Sequence, residues 1–239
     1  MIEEQKKPDF ATSLERPPGF ALEIEQPQKG YRYNQDPFHL AEFIKQHAQP
    51  WQTQLEGRCL DIGCGVGILP LLLAQTLAQT KFTGVEIQNN LALLAQNNVI
   101  RNHLTDRIDI FKVDYRDFSR DKTASANFQT VICNPPYYPP AAGRINSCPQ
   151  KSIARHEMTS NLASLTQAAA VFLDHKGLFI TVFPAERLLE LSFQLKAVKL
   201  EPKVLQFIHP ENSDRATMLL LAARKNGAPG IKVEPPLII

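Results

Sequence analysis

From residue 58 onward, short apolar runs alternate with longer segments whose apolar residues recur every three or four positions. The short runs predict buried strands, and the longer segments predict helices with one apolar face. Repeated strand–helix units are typical of a doubly wound, mainly parallel α/β sheet. A short polar loop joins the last two runs, which indicates an antiparallel last strand in a sheet of seven. The predicted strands span 58–61, 81–86, 108–114, 130–133, 177–184, 204–208 and 217–224, and the helices span 68–77, 89–98, 162–172 and 185–199.

The residues before position 58 follow a different pattern. Two segments, 20–25 and 31–34, alternate apolar and polar positions on either side of turn-forming residues, which predicts a short hairpin. A helix is expected from Pro37, with Asn34 or Asp36 as its cap. The expected organisation is a mobile lead-in at 1–18, the hairpin and helix at 19–57, the main domain at 58–226 and a C-terminal tail at 227–239.

Composition narrows the class of protein only modestly. The chain has 239 residues, 44% of them hydrophobic, a formal net charge of +2 and a pI of about 8.3, which is compatible with a nucleic-acid substrate without demonstrating one. No signal peptide opens the chain and no apolar stretch reaches membrane-spanning length, so no membrane partner is expected. Four cysteines without C-x-x-C spacing indicate a reducing, cytoplasmic location and no metal site. They are Cys59, Cys64, Cys133 and Cys148.

A rigid polar turn follows the predicted strand 130–133. Its sequence is Asn134-Pro135-Pro136-Tyr137, in which two prolines fix the backbone before any ligand binds. The Asn134 side-chain oxygen and the Pro135 carbonyl are acceptors for the two N–H groups of a planar amine, and Tyr137 offers a face for stacking. From these four residues alone, an ordinary proline-rich turn is an equally good interpretation.

A glycine-rich turn lies between the predicted strand 58–61 and the helix that follows it. Asp61, Gly63, Gly65 and Gly67 alternate with apolar or small residues, and the missing side chains let a ligand approach the backbone. Such a turn is also found at dinucleotide pyrophosphates, although the glycine spacing differs from that pattern. The Asp61 carboxylate would repel a phosphate and favours a cationic ligand group.

Two further carboxylates end the next two predicted strands. Glu86 follows Gly67 by about 20 residues, a position from which an acidic side chain accepts the ribose hydroxyls of a nucleoside. Asp114 is within reach of an adenine amine. Taken singly, each carboxylate is more often a solvated loop residue. Together with Asn134 they occupy the carboxyl ends of successive strands, the edge where open α/β sheets bind ligands.

In this order and spacing the motifs resemble the class I S-adenosylmethionine-dependent methyltransferases, within them the amino-methylating branch with an N-P-P-Y motif. The resemblance covers roughly residues 58–224 and implies a Rossmann-like fold with S-adenosylmethionine as cofactor. It implies catalytic roles for Asn134, Pro135 and Tyr137, which hold the target amine and stack on its ring. The cofactor-binding residues that it implies are Asp61, Gly63, Cys64, Gly65, Gly67, Glu86, Ile87, Asp114, Tyr115 and Asn134.

Within that branch the chain is most similar to the transfer RNA family that methylates the exocyclic amine of adenine next to the anticodon of valine tRNA. The similarity lies in the hairpin, the stretch 29–36, the motif 134–138, the stretch 154–157 and His209-Pro210. The lead-in and the loop 141–151 depart from that family. Three alternatives stay open: methylation of a release-factor glutamine, methylation of a ribosomal RNA guanine, and a non-catalytic RNA-binding assembly factor.

An RNA substrate predicts phosphate contacts in the loop after Asn134. A solvated basic loop is an equally good interpretation of these side chains. The sequence leaves monomer and homodimer undecided and gives His209 no role beyond an ordinary loop histidine. The residues expected at the substrate are Pro136, Tyr138, Arg144, Lys151, Arg155 and His156.

Overall fold

A computed structural model of the chain describes residues 8–30, 32–118, 127–135 and 162–239. Within these residues the strands β1 to β11 are Thr12–Glu15, Ile24–Pro27, Arg58–Ile62, Lys81–Glu86, Ile108–Lys112, Phe128–Cys133, Leu173–Pro184, Leu200–His209, Met218–Lys225, Lys232–Val233 and Leu237–Ile238. The helices α1 to α6 are Asp36–Gln46, Gln52–Leu55, Ile68–Ala74, Asn89–Arg101, Leu162–Phe172 and Leu188–Ala197, with a 3-10 turn at Ala185–Arg187.

The main strands form one sheet in the order β5-β4-β3-β6-β7-β9-β8. Strands β3 to β7 pair in parallel, whereas β9 is antiparallel to both β7 and β8. The predicted doubly wound, mainly parallel sheet with an antiparallel last strand is therefore confirmed. The strand order reverses between β3 and β6, and ligands bind outside the carboxyl ends of the strands at such a reversal.

Helices cover both faces of the sheet, which explains the continuous apolar runs of its central strands. Neighbouring residues of β3 show the division, because Cys59 packs in one buried cluster and Leu60 in the other. The first cluster contains the buried faces of α1, α3 and α4, and the second contains those of α5 and α6. The helices thus pack against both faces of the central strands and fix the positions of the carboxyl ends of these strands.

The N-terminal hairpin has a different partner from the one predicted. Strand β2 exists, but it pairs antiparallel with β1, which lies in the lead-in that was expected to be mobile. The turn forms around Pro17 and Gly19: the Pro17 carbonyl accepts the Phe20 N–H at 3.2 Å and Gly19 has a φ of 81°. Residues 32–35 form no strand. The segment 12–15 does not alternate apolar and polar residues, so periodicity gave no signal for β1.

The residues at the C-terminal end of the chain extend the sheet beyond the seven main strands. Both β10 and β11 pair in parallel with β8, inside the stretch 227–239 that the sequence placed as a tail. Glu234, between these strands, contacts His47 at 3.0 Å and Lys232 at 2.8 Å. The end of the chain therefore contacts the residue that caps α1 and covers the outer edge of β8.

Strand β7 begins four residues before its predicted start. Its pairing with β6 shifts register between Phe128 and Thr130, where the β7 partners jump from Leu173 to Leu178. The residues inside this irregularity include Lys176, with a φ of 66°. Their polar, glycine-containing sequence is typical of a turn, so the extra length of β7 was not predicted. Among the described residues, no helix has the length and apolar character needed to cross a membrane.

The glycine at position 84 in β4 leaves room for the turn after β3. A Cβ there would lie 2.7 Å from Ile110 Cδ1 and 2.8 Å from Cys64 Sγ. We expect Gly84→Ala to lower the free energy of unfolding by about 1–3 kcal/mol, because the extra methyl group overpacks the buried strand. Urea denaturation measures the difference.

The control for Gly84→Ala is the same substitution in a Cys64→Ala background, compared with Cys64→Ala alone. Removing the sulfur opens part of the space, so the cost of the added methyl group should be smaller in that background. An equal cost in both backgrounds would show that Cys64 does not constrain position 84.

Candidate active site

The candidate site lies at the sheet edge where β3 and β6 diverge. The last registered pair between these strands is Asp61 with Ile132, so both chains leave the sheet side by side, β3 into Gly63 and β6 into Asn134. Strand β4 adjoins β3 on its other side and ends at Glu86. Three predicted site residues, Gly63, Glu86 and Asn134, are thereby brought to one edge.

The glycine turn after β3 is held by its own backbone. The Val85 carbonyl accepts the N–H groups of Gly63 at 2.9 Å and Cys64 at 3.1 Å, and the Cys64 carbonyl accepts the Gly67 N–H at 2.8 Å. Gly63, Gly65 and Gly67 have φ values of 74°, 57° and 82°. These are left-handed conformations that favour glycine, which explains the alternating glycines.

Glu86 fixes the middle of the same turn. Its side chain is only 5% exposed, and Oε2 accepts the Gly65 N–H at 3.0 Å while Oε1 accepts the Gln88 N–H at 2.8 Å. The N–H groups of Gly63, Cys64, Gly65 and Gly67 therefore all donate within the protein. A pyrophosphate site requires such groups to point at the ligand, so the geometry argues against the dinucleotide alternative.

Asp61 is the strongest electrostatic feature of the site. It is 1% exposed, and neither of its carboxylate oxygens has a hydrogen-bond partner within the described part of the chain. Burial raises the pKa of Asp61 well above its usual range, and the nearby Glu86 carboxylate raises it further. A buried carboxylate without a donor is costly, and a cationic ligand group would supply both the donor and the compensating charge.

The cysteines at the site are packing residues. Cys64 and Cys133 are buried, as is Cys59 within β3, and burial is the main cause that raises the pKa of each thiol well above its usual value. The Cys133 thiol donates to the Ile62 carbonyl at 3.1 Å and so links β6 to the end of β3. Neutral buried thiols are poor nucleophiles, so Cys64 contributes packing to the site and takes no part in a reaction.

Asp114 has a partner that the sequence did not reveal. It lies two residues beyond the end of β5, and Arg116 Nε lies 2.9 Å from both carboxylate oxygens, with a further contact from Arg116 Nη2. These side-chain bonds from Arg116 are the main cause that lowers the pKa of Asp114. The Asp-x-Arg spacing was the available signal, but only the turn at Asp114 brings the guanidinium back onto the carboxylate.

Tyr115 links the β5 loop to α5. Its hydroxyl donates to Ser164 Oγ at 3.3 Å, and the Arg116 guanidinium lies 6.0 Å from its ring centre. Burial raises the pKa of Tyr115, so its hydroxyl stays neutral at physiological pH. Ile87, the other apolar residue expected at the cofactor, follows Glu86 and is half-buried.

The start of the proline-rich turn is in place at the end of β6. Asn134 is half-buried and Pro135 is buried, directly after Cys133. The described residues contain no group of three histidine, cysteine or acidic side chains arranged to hold a metal ion. The remaining predicted site residues lie outside the described residues: Pro136, Tyr137, Tyr138, Arg144, Lys151, Arg155 and His156.

Sequence comparison places most of the chain in one family. A sequence model of the methyltransferase small domain matches residues 42–196, more than half of the chain. A tRNA1(Val) (adenine(37)-N6)-methyltransferase of Escherichia fergusonii is 36% identical over 130 residues, which are 54% of this chain and 51% of that protein. The enzyme of the same name from Escherichia coli K12 is 35% identical over the same length. The chain thus spans about half the length of the curated relatives it matches.

Solved structures with the same fold are more distant in sequence. A predicted O-methyltransferase of Agrobacterium tumefaciens superposes with a TM-score of 0.62 at 18% identity, covering 85% of this chain and 86% of that one. The hMettl16 catalytic domain, solved in complex with an RNA hairpin, superposes with a TM-score of 0.60 at 20% identity, covering 92% and 79%. At these identities the likeness concerns the fold alone, and it agrees with the predicted Rossmann-like methyltransferase architecture.

The described residues fit S-adenosylmethionine, the cofactor that the sequence resemblance implies. Asp61 offers two buried acceptor oxygens to a molecule that carries an ammonium group, and a side chain at Gly63 would meet nothing within 4 Å. Glu86 sits beside this space with both oxygens already oriented by backbone N–H groups. These acceptor oxygens match a cationic ligand with hydroxyl groups, and the open space beside Gly63 leaves room for it.

We expect Asp61→Asn to stabilise the protein without cofactor at neutral pH while weakening its affinity for S-adenosylhomocysteine about 10–100-fold. The folded-state pKa of Asp61 is raised, so wild-type stability falls as pH rises from the ordinary aspartate pKa through the raised value. The stability gain of the variant should therefore be absent at the acid end of that window and complete above it. Thermal unfolding across pH and titration calorimetry measure the two effects.

Asp109→Asn is the matched control, because it removes an exposed carboxylate from β5 at a distance from the glycine turn. It should leave cofactor affinity unchanged and shift stability little. A stability gain for Asp61→Asn that is the same at all pH values, or unaltered cofactor affinity, would contradict the assigned role of Asp61.

Proposed function

Because the chain belongs to the methyltransferase small domain family, we propose that it transfers a methyl group from S-adenosylmethionine to the exocyclic amine of adenine in RNA. The observation that carries the proposal is the pairing of β3 with β6. Because these strands are neighbours, the glycine turn after β3 and the Asn134-Pro135 pair after β6 start side by side. This supports a cationic cofactor at the turn and a target amine at the two acceptors.

S-adenosylmethionine is the cofactor, and when bound it supplies an electrophilic methyl group on a sulfonium. Asp61 binds its ammonium group, because the buried carboxylate has both oxygens available. Glu86 accepts the ribose hydroxyls through its carboxylate, whose two oxygens are oriented by the Gly65 and Gln88 N–H groups. Asp114, held in place by Arg116, accepts from the adenine amine of the cofactor.

The target amine is held by the residues at the end of β6. An aryl amine is a poor nucleophile because its lone pair is delocalised into the ring. Asn134 Oδ1 and the Pro135 carbonyl accept its two N–H bonds, which favours a pyramidal nitrogen with a localised lone pair. Tyr137 stacks on the ring. The released proton passes to solvent, so no strong general base is required.

The substrate is adenine next to the anticodon of valine tRNA. Support comes from the names of the relatives, which are adenine-37 methyltransferases of that tRNA, and from the mildly basic charge of the chain. The residues proposed to contact phosphates around the flipped base are Arg144, Lys151, Arg155 and His156, and Pro136 and Tyr138 are the further residues proposed to bind the substrate. These side chains give binding a measurable salt dependence.

We expect Asn134→Ala to lower the rate of methyl transfer to valine tRNA at least about 100-fold, because the amine loses one of its two acceptors. Affinity for S-adenosylhomocysteine should fall much less, by under about tenfold, because Asp61, Glu86 and the glycine turn still bind the cofactor. Single-turnover transfer from labelled S-adenosylmethionine gives the rate, and calorimetry gives the affinity.

Two controls accompany Asn134→Ala. Asp61→Asn should show the opposite pattern, with weak cofactor binding as the primary defect. A tRNA with guanine in place of the target adenine should receive no label from the wild-type enzyme. Transfer by Asn134→Ala at the wild-type rate would reject the role proposed for Asn134.

A further inference from the structure

Helix α4 and its C-cap residue carry two asparagines that contact the N-terminal segment, residues 23–25. Asn98 and Asn102 are four residues apart, so they lie on the same face of the helix. Asn98 is completely buried, with 0% of its surface exposed. A fully buried amide side chain has to be satisfied by specific hydrogen bonds, and each of its partners is therefore informative.

Each asparagine pairs with the backbone of one residue in the N-terminal segment. Asn98 Oδ1 accepts the Glu25 N–H at 2.7 Å, and Asn98 Nδ2 donates to the Glu25 carbonyl at 2.9 Å. Asn102 makes the equivalent pair with Glu23, at 2.9 and 2.8 Å. The two amides thus serve the segment as a neighbouring strand would, by satisfying its outward-facing N–H and C=O groups.

The two asparagines differ in the acceptor that the second N–H of the side-chain amide reaches. In Asn102 it donates to the Asn98 carbonyl at 2.7 Å, inside the same helix. In Asn98 it donates to the Val66 carbonyl at 3.0 Å, in the cofactor turn. Val66 lies between Gly65 and Gly67, whose N–H groups are bound by Glu86 and Cys64.

The sequence explains why the Val66 carbonyl takes a side-chain donor. Helix α3 has Gly67 as its N-cap, and the Gly67 carbonyl accepts the Leu71 N–H at 3.2 Å, so the Val66 carbonyl precedes the helical ladder. The residue four positions after Val66 is Pro70, which has no N–H to extend that ladder by one bond. Val66 is buried, so water does not readily replace that bond. Asn98 supplies the donor that Pro70 lacks.

We propose that Asn98 is a positioning residue that couples the order of the N-terminal segment to the shape of the cofactor turn. The Asn98 side-chain amide binds both the Glu25 backbone and the Val66 carbonyl. Each of these contacts holds the amide in the orientation that the other contact requires. The proposal rests on the cofactor role assigned above to Asp61 and the glycine turn.

Coupling of this kind is reciprocal. If the held segment shapes the turn for the cofactor, cofactor binding must stabilise the held segment by the same factor. In the wild-type protein, saturating S-adenosylhomocysteine should therefore slow hydrogen exchange of the Glu25 amide, whose N–H donates to Asn98. This measurement needs no substitution, so it is informative even if a variant at position 98 does not fold.

Two matched variants, Asn98→Ala and Asn102→Ala, distinguish a loss of coupling to the cofactor turn from a general loss of stability. Both remove two bonds to the N-terminal backbone, but only the first removes the bond to Val66. We expect both to lower the melting temperature, Asn98→Ala to weaken S-adenosylhomocysteine binding about 5–10-fold, and Asn102→Ala to change it less than about twofold. Calorimetry is done well below both melting temperatures.

Equal affinities in the two variants, or no slowing of Glu25 exchange in the wild-type protein, would overturn the coupling while leaving the proposed function intact. Absence of S-adenosylhomocysteine binding by the wild-type protein would overturn the cofactor role itself, and the coupling with it. Slower Glu25 exchange in the wild type that is lost in Asn98→Ala and kept in Asn102→Ala is the result that supports the proposal.

Discussion

The burial of Asp61 beside Glu86 is the constraint on which the site depends. Two carboxylates at the end of adjacent buried strands oppose folding, and Asp61 has no donor in the described part of the chain to offset that cost. Apolar packing on both faces of the sheet supplies the free energy that holds them there. The result is a site with its carboxyl groups in place before a cationic ligand arrives.

The strand reversal between β3 and β6 determines which segments lie next to Asp61 at the sheet edge. Because these two strands are neighbours, the glycine turn and Asn134-Pro135 leave the sheet side by side. The Cys133 thiol ties the end of β6 to Ile62, and Val85 ties β4 to the turn, so the parts of the edge are joined by direct contacts. Loops placed on such a scaffold carry the chemistry while the scaffold keeps their spacing.

Local patterns predicted the central sheet well, because strands buried on both faces read as continuous apolar runs and the alternating glycines read as a tight turn. They failed at β1, whose residues 12–15 do not alternate apolar and polar positions, and in β7, where a polar irregularity resembled a turn. The contacts Arg116–Asp114 and Asn98–Val66 depend on how the folded chain brings side chains together, which periodicity does not encode.

The most direct measurement is methyl transfer from labelled S-adenosylmethionine into total tRNA, ribosomal RNA and release factor taken from a strain that lacks the gene. Nucleoside mass spectrometry of the labelled fraction identifies the product. Label recovered from tRNA as adenosine methylated on its exocyclic amine is the expected result, since the cofactor turn and Asn134 share one edge. Label confined to protein or to guanine, or label in none of the three, would contradict RNA adenine as the substrate.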